Sequence, residues 1–304
     1  MADSVKIAVI GLGSMGLGMA QSLLREGFSV SGCDVNPAAL ETFARAGGTI
    51  GNSAADAAQN ADIVITVVVN AAQTATVLFG EKGAAPAMTP GGAVISCATM
   101  APDSARELAT KIEGLGLLYL DAPISGGALK AADGQLTVMA SGSRAAFARA
   151  RSALDAIAAT VHELGDEPGL GASFKIVNQL LAGVHIAAAC EAITFAKRLG
   201  LDLDRVYKVI TGSAGNSWMF ENRIPHVLEG DYRPRSAVDI FTKDLGIVGD
   251  IGRSTKFPMP MAATALQLFL ATAAAGMGRD DDASVARLIA QMTGLDLPKP
   301  SPEA

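Results

Sequence analysis

Two stretches of this 304-residue chain combine residue types and spacings suited to chemistry. The first, Gly11-Leu12-Gly13-Ser14-Met15-Gly16, is a G-x-G-x-x-G run directly after the apolar segment Lys6–Ile10. Glycines at these positions allow a tight turn, close approach of the backbone to a pyrophosphate, and close packing of the following helix on the strand. The helix start offers free N–H groups and a partial positive charge to that phosphate. Asp34 ends a second apolar run about 20 residues on, where a carboxylate can accept hydrogen bonds from ribose hydroxyls. It would repel a 2′-phosphate, and no Arg follows it (Val35, Asn36), so these residues favour NAD over NADP. The competing reading is a structural glycine turn with Asp34 as a cap.

The second stretch, Gly169-Leu170-Gly171-Ala172-Ser173-Phe174-Lys175-Ile176-Val177-Asn178, opens a long apolar run. Lys175 and Asn178 are three apart and share a helix face. A Lys directed into a cleft can bind a carboxylate or move a proton, although its ordinary pKa of about 10.4 must fall for it to act as a base near neutrality. The competing reading is a flanking Lys that snorkels to water.

The remaining polar candidates are weaker. His162, His185 and His226 are scattered without ligand spacing, so no metal site is predicted, and His185 reads as a core or interface residue. Asp280-Asp281-Asp282 precedes a helical pattern and reads as capping, since acids at a helix start favour the dipole. Trp218, Met219 and Phe220 could wall a pocket or simply pack. Cys33 and Cys97 fall on buried runs, and no Cys is placed with a base.

These residues need elements to hold them. Apolar runs at Lys6–Ile10, Phe28–Cys33, Asp62–Val69, Ala93–Cys97, Leu117–Leu120 and Leu136–Ala140 alternate with helical patterns such as Ser14–Glu26 and Pro37–Ala46. Strands apolar on both faces that alternate with helices predict a doubly wound parallel sheet, an α/β Rossmann domain. The alternation stops near Gly165. Beyond it the chain is Ala/Leu/Ile-rich, and Phe174–Leu199 reads as one helix, apolar on nearly all faces and therefore buried. The expected division is an NAD-binding domain at 1–167 and an all-α domain at 168–304 for substrate and oligomerisation.

Composition narrows the function. Half of the residues are hydrophobic and 18% charged, which excludes a disordered chain. The uncharged stretch Phe257–Met277 is too rich in Ala and Thr for a bilayer span and reads as a buried helix. A net charge of −6 argues against a nucleic-acid partner. The N-terminus lacks the signal-peptide order, and three unpatterned cysteines fit a reducing compartment, so the expected location is cytoplasmic, with no membrane partner. The later helices carry more apolar surface than a domain of their size needs, which predicts a homodimer or homotetramer.

The Gly-Leu-Gly-x-Met-Gly turn, Asp121-Ala122-Pro123-Ile124-Ser125-Gly126-Gly127, the Gly-x-Gly-x-x-x-Lys-x-x-Asn run and Lys243-Asp244-Leu245 together resemble the β-hydroxyacid dehydrogenase family, which includes 3-hydroxyisobutyrate and tartronate semialdehyde enzymes. The resemblance spans essentially the whole chain. It implies an NAD-dependent oxidoreductase acting on a small hydroxy acid. Lys175 would be the catalytic acid/base. Ser125, Gly126, Gly127 and Asn178 would hold the substrate, while Thr99 and Lys243 would join Gly11–Gly16 and Asp34 at the cofactor. Asn216–Arg223 and Asp239–Asp244 look most like the branch acting on L-threonate, implying oxidation at C2 to 2-oxo-tetronate. The alternatives are another acid of the family, a 6-phosphogluconate-type decarboxylating enzyme, for which the chain is short, and a non-catalytic dinucleotide-binding module. One departure stands out: Asn70-Ala71 occupies a place where the family often has a Pro that shapes a cofactor loop.

Overall fold

A computed structural model describes residues 5–300. The chain divides into two compact units, Met1–Lys175 and Ile176–Ala304, with the division inside one long helix.

The first unit is built on β1 (Lys6–Ile10), β2 (Ser29–Cys33), β3 (Thr49–Ile50), β4 (Ile63–Thr66), β5 (Ala93–Ser96) and β6 (Leu118–Asp121). They form one parallel sheet in the order β3-β2-β1-β4-β5-β6. The connections hold α1 (Ser14–Arg25), α2 (Pro37–Arg45), α3 (Ala54–Ala57), α4 (Ala71–Phe79) and α5 (Pro102–Glu113). Alternate residues face opposite cores. Ile7, Val9, Ile63, Ile65 and Ile95 enter one with Met19 and Leu23 of α1. Ala8, Ile10, Val64 and Val94 enter the other with Leu108 and Ile112 of α5. Burial on both sides is why these strands read as unbroken apolar runs.

The register sets the positions of the loops. Cys33 pairs with Ile10, Ile10 with Thr66, Thr66 with Ser96 and Ser96 with Asp121. The five strands therefore end in one row, and the loops that follow all emerge along the carboxyl edge, where ligands of open parallel sheets bind.

Leu136–Ala140 departs from expectation. It is β8 of a separate three-stranded sheet with β7 (Ile124–Ser125), antiparallel to it, and β9 (Ala158–Glu163), parallel to it. Its burial alternates, unlike the wholly buried β4 and β5, so it has only one covered face. β9 escaped the sequence reading because Ala158–Glu163 buries no residue fully. Between these strands run α6 (Gly127–Ala132) and α7 (Arg144–Ile157).

The long helix, α8 (Leu170–Arg198), is followed by α9 (Leu203–Thr211), α10 (Trp218–Glu229), α11 (Val238–Thr255), α12 (Pro260–Thr272) and α13 (Val285–Thr293). The second unit has its own core, including Ile186, Ile193, Ile224, Phe241, Val248 and Phe269, with Phe241 and Phe269 stacked at 5.2 Å. The burial expected of its two most apolar helices is half correct. α8 buries one face only; Val177, Leu181 and Phe195, and Leu199 just after it, are at least half exposed. α12 turns Ala262, Ala265 and Phe269 inward and leaves Met261 and Leu270 outside. A helix uniformly apolar in sequence buries just the side its neighbours cover. By length and composition alone, Leu170–Arg198 and Pro260–Met277 could each span a bilayer.

The Asp280–Asp282 run does more than cap. Asp281 caps a short 3₁₀ turn through Ala283 N–H and also accepts a bond from buried His226 at 2.9 Å. Asp282, fully enclosed, pairs with Arg223 of α10 at 2.6 Å. Burial pushes Asp282 up to about 6, opposed chiefly by the charge of Arg223. Its ionisation on folding therefore costs stability as pH rises from about 4 through 6. Arg223→Ala leaves that carboxylate uncompensated. The expected loss in denaturant unfolding at pH 8 is about 3–5 kcal/mol, and it should be smaller at pH 5, where Asp282 can hold a proton.

Candidate active site

The first loop on the carboxyl edge is the glycine turn. Gly11 has φ +96°, and a Cβ there would sit 2.3 Å from the Val67 carbonyl oxygen. A Cβ on Gly16 would lie 1.9 Å from the oxygen of Gly11, so the helix packs directly on the turn. Gly13, by contrast, has open space on its Cβ side and starts α1 without a side-chain cap. Backbone N–H groups of the first helical turn have no partner within the helix. Leu12 is buried and Met15 half-buried, while Gly13 and Ser14 are exposed. Asp34 leaves the end of β2 and accepts a bond from Leu12 N–H at 2.5 Å through one oxygen and from Asn36 N–H at 2.7 Å through the other. Val35 beside it is fully exposed. A turn in which Gly11 and Gly16 leave no room for a Cβ, open space beside Gly13, a bare helix start and a carboxylate at the next strand end fit a dinucleotide.

The loop after β4 holds Asn70 where the resemblance led to a Pro being expected. Asn70 caps α4 by accepting from Gln73 N–H at 2.8 Å, and the Gln73 side chain returns to Val69 N–H at 2.9 Å. This reciprocal pair fixes the loop as a capping box does. Thr99, half-buried, follows β5 between buried Ala98 and Met100. Burial pushes the Cys97 thiol up to about 12, which keeps it protonated.

The third loop, after β6, brings together the residues around Lys175. Asp121-Ala122-Pro123 leads into Ile124 and Ser125; Gly126 (φ +140°) and Gly127 (φ +81°) then open α6. Ser125 is half-buried and Gly127 exposed. Lys175 is 8% exposed and donates to the Ile124 carbonyl at 2.8 Å, one residue before Ser125. The predicted proton-transfer residue therefore contacts the residue that immediately precedes the predicted substrate loop. The Asp121 carboxylate accepts from Gly169 N–H at 2.9 Å and Ala172 N–H at 2.8 Å. Ser141 Oγ accepts from Gly171 N–H at 3.0 Å.

In the second unit Asn178 and Lys243 are joined by two residues given no role at the sequence level. Asn178 donates to Gln179 Oε1 at 2.9 Å, and Gln179 donates to Asp244 Oδ2 at 2.5 Å. Asp244 Oδ1 lies 2.6 Å from Lys243 Nζ. Gln179 and Asp244 are both buried. The sequence signal was present: a Gln in an apolar stretch, and an Asp inside the quoted Lys243-Asp244-Leu245 run. Of the Trp218 cluster, Phe220 packs in the core against Tyr207, while Trp218 is half exposed at the start of α10. Among the described residues no cluster of three or more His, Cys, Asp or Glu could hold a metal ion.

Comparison with known proteins agrees along the chain. Residues 6–165 match the model of the NAD-binding domain of 6-phosphogluconate dehydrogenase, and residues 169–289 match that of the NAD-binding domain of NADP-dependent 3-hydroxyisobutyrate dehydrogenase. An L-threonate dehydrogenase of Cupriavidus necator is 54% identical over 97% of this chain and 98% of its own. The chain belongs to the 3-hydroxyisobutyrate dehydrogenase-like family of β-hydroxyacid dehydrogenases. The rat mitochondrial 3-hydroxyisobutyrate dehydrogenase is 32% identical over 94% of this chain and 87% of its own. A crystal structure from Salmonella typhimurium, described as 3-hydroxyisobutyrate dehydrogenase, has a TM-score of 0.90 and 50% identity, covering 94% of this chain and all of that one. This β-hydroxyacid dehydrogenase is thus an oxidoreductase of CH–OH groups that uses a nicotinamide dinucleotide. Its relatives at 50% identity and above carry two different substrate names, so family membership leaves the acid to be argued.

Proposed function

We propose that this enzyme oxidises L-threonate with NAD, at C2, to 2-oxo-tetronate. The observation that carries the reading is the identity of 48–54% to five L-threonate dehydrogenases over at least 96% of each, against 32% to the rat 3-hydroxyisobutyrate enzyme. Oxidation of 3-hydroxyisobutyrate is the second reading, favoured by the description of the Salmonella structure. When bound, NAD supplies the acceptor for the hydride that leaves the carbinol carbon. The Ser125 hydroxyl and the backbone of Gly126 and Gly127 hold the acid's carboxylate. Lys175, whose Nζ already reaches Ile124 next to that loop, takes up the hydroxyl proton as the carbonyl forms, or stabilises the developing alkoxide. Asn178, one helical turn on, holds the substrate. Fixing the acid against the cofactor contributes a large part of the rate. Gly11–Gly16, Asp34, Thr99 and Lys243 bind the cofactor.

NADH formation on L-threonate, 3-hydroxyisobutyrate and other C3–C6 hydroxy acids tests both substrate and base. L-Threonate is expected to have the highest kcat/KM, and Lys175→Ala to lose about 10²–10⁴-fold in turnover with NADH still bound. A higher kcat/KM for another acid would refute the substrate, and near-normal turnover of Lys175→Ala would refute the role of Lys175.

NAD would be preferred over NADP because the Asp34 carboxylate would repel a 2′-phosphate and the adjacent, exposed Val35 brings no cation. The double variant Asp34→Ala with Val35→Arg is expected to shift the NAD/NADP ratio of kcat/KM toward NADP by at least tenfold. An unchanged ratio would remove Asp34 from the adenosine site.

The enzyme works as a homodimer or larger, in a reducing compartment such as the cytoplasm. The exposed apolar face formed by Val177, Leu181 and Phe195 of α8, with Leu199 just after it, supports association, since contiguous exposed apolar patches mark interaction surfaces. Light scattering at micromolar concentration is expected to give at least twice the chain mass; a single-chain mass would contradict it.

A further inference from the structure

Lys175 can act only if its helix holds it at a fixed place relative to the Ser125 loop. In the first unit the final residue of β6 and the four residues after it meet that helix at two points. The Asp121 carboxylate grips the helix start through Gly169 N–H and Ala172 N–H, both on Oδ2. Three residues after Asp121, the Ile124 carbonyl receives Lys175 Nζ at 2.8 Å. Ala172 and Lys175 are three apart, so the gripped position and the amine lie on one helix face. The backbone of Asp121 is itself pinned to Ser141 by two reciprocal hydrogen bonds of 3.0 and 2.8 Å, and the Ser141 hydroxyl takes the intervening Gly171 N–H. Gly171 approaches so closely that a Cβ there would lie 2.4 Å from the Met139 carbonyl oxygen.

We propose that Asp121 is the positioning residue for proton transfer: its carboxylate fixes the start of α8 so that the Lys175 amine and the Ser125 loop meet in register. This rests on the reading of Lys175 given above. A carboxylate at a helix start is the chemistry suited to the task, because it accepts from orphan N–H groups and complements the helix dipole. Asp121 is buried, and desolvation pushes its carboxyl up to about 6, against the opposing bonds from Ala172, Gly169 and Ser141 and the charge of Arg106 on α5; Cys97 after β5 and Tyr119 of β6 are the other titratable groups nearby. A folded-state pKa above the unfolded one means that stability falls as pH rises through about 6. At pH 8 the ionised group therefore costs the fold something that a neutral amide would avoid.

The test compares Asp121→Ala, Asp121→Asn and Lys175→Ala at pH 8, measuring kcat and KM on the hydroxy acid, NADH affinity by fluorescence, and the thermal transition. Asp121→Ala is expected to lower kcat at least tenfold, with NADH affinity within about twofold of wild type. Asp121→Asn, which keeps an acceptor oxygen, is expected to recover most of that loss and to melt no lower than wild type. Wild-type kcat in folded Asp121→Ala would overturn the proposal. So would an Asn variant as slow as Lys175→Ala, and this arm decides alone if the Ala variant does not fold. An active Lys175→Ala would instead refute the underlying assignment of Lys175, so the two failures are distinguishable.

Discussion

The site loops of the first unit are placed by the register that aligns Cys33, Ile10, Thr66, Ser96 and Asp121 at one edge of the parallel sheet. Four of these five residues, all but Thr66, are followed within a few positions by one assigned to the site: Asp34, Gly11, Thr99 and Ser125. The middle strands cannot slip, because their side chains alternate between two filled cores and a one-residue shift would exchange the two sets. Hydrophobic packing thereby sets polar geometry. The same argument accounts for the glycines at the β1 turn, where the helix must begin in contact with the strand it leaves.

Buried carboxylates are the second organising device, and each is satisfied differently. Asp121 takes backbone N–H groups at a helix start. Asp244 takes the Gln179 amide and lies against Lys243. Asp281 and Asp282 take His226 and Arg223. Burying a charge is costly unless it is paired or hydrogen-bonded. These groups therefore mark places where one arrangement has been fixed. Two of them border residues assigned to substrate and cofactor, and the other two tie α10 to the segment before α13 within the helical unit.

Much of this was legible in the sequence, for identifiable reasons. β1 and α1 were read almost to the residue because an apolar β-branched run, a glycine turn and helical spacing all agree there. The Gly11–Gly16 turn and Asp34 needed only their order along the chain. Asp121, Gln179 and Asp244 were passed over because their work depends on which N–H or amide faces them, and pairing across 48 or 65 positions leaves no local periodicity. β8 was assigned to the wrong sheet because an apolar run does not tell one buried face from two without attention to its alternation. The exposure of α8 and α12 was hidden for a similar reason: composition reports apolar surface but not how much of it neighbours cover.

The proposed chemistry converges on one step, in which a hydride leaves C2 of L-threonate while Lys175 manages the proton. L-Threonate carrying deuterium at C2 tests it most directly. After turnover with NAD, the NADH isolated is expected to carry the deuterium. NADH free of deuterium, with the label retained in the oxidised acid, would contradict oxidation at that carbon.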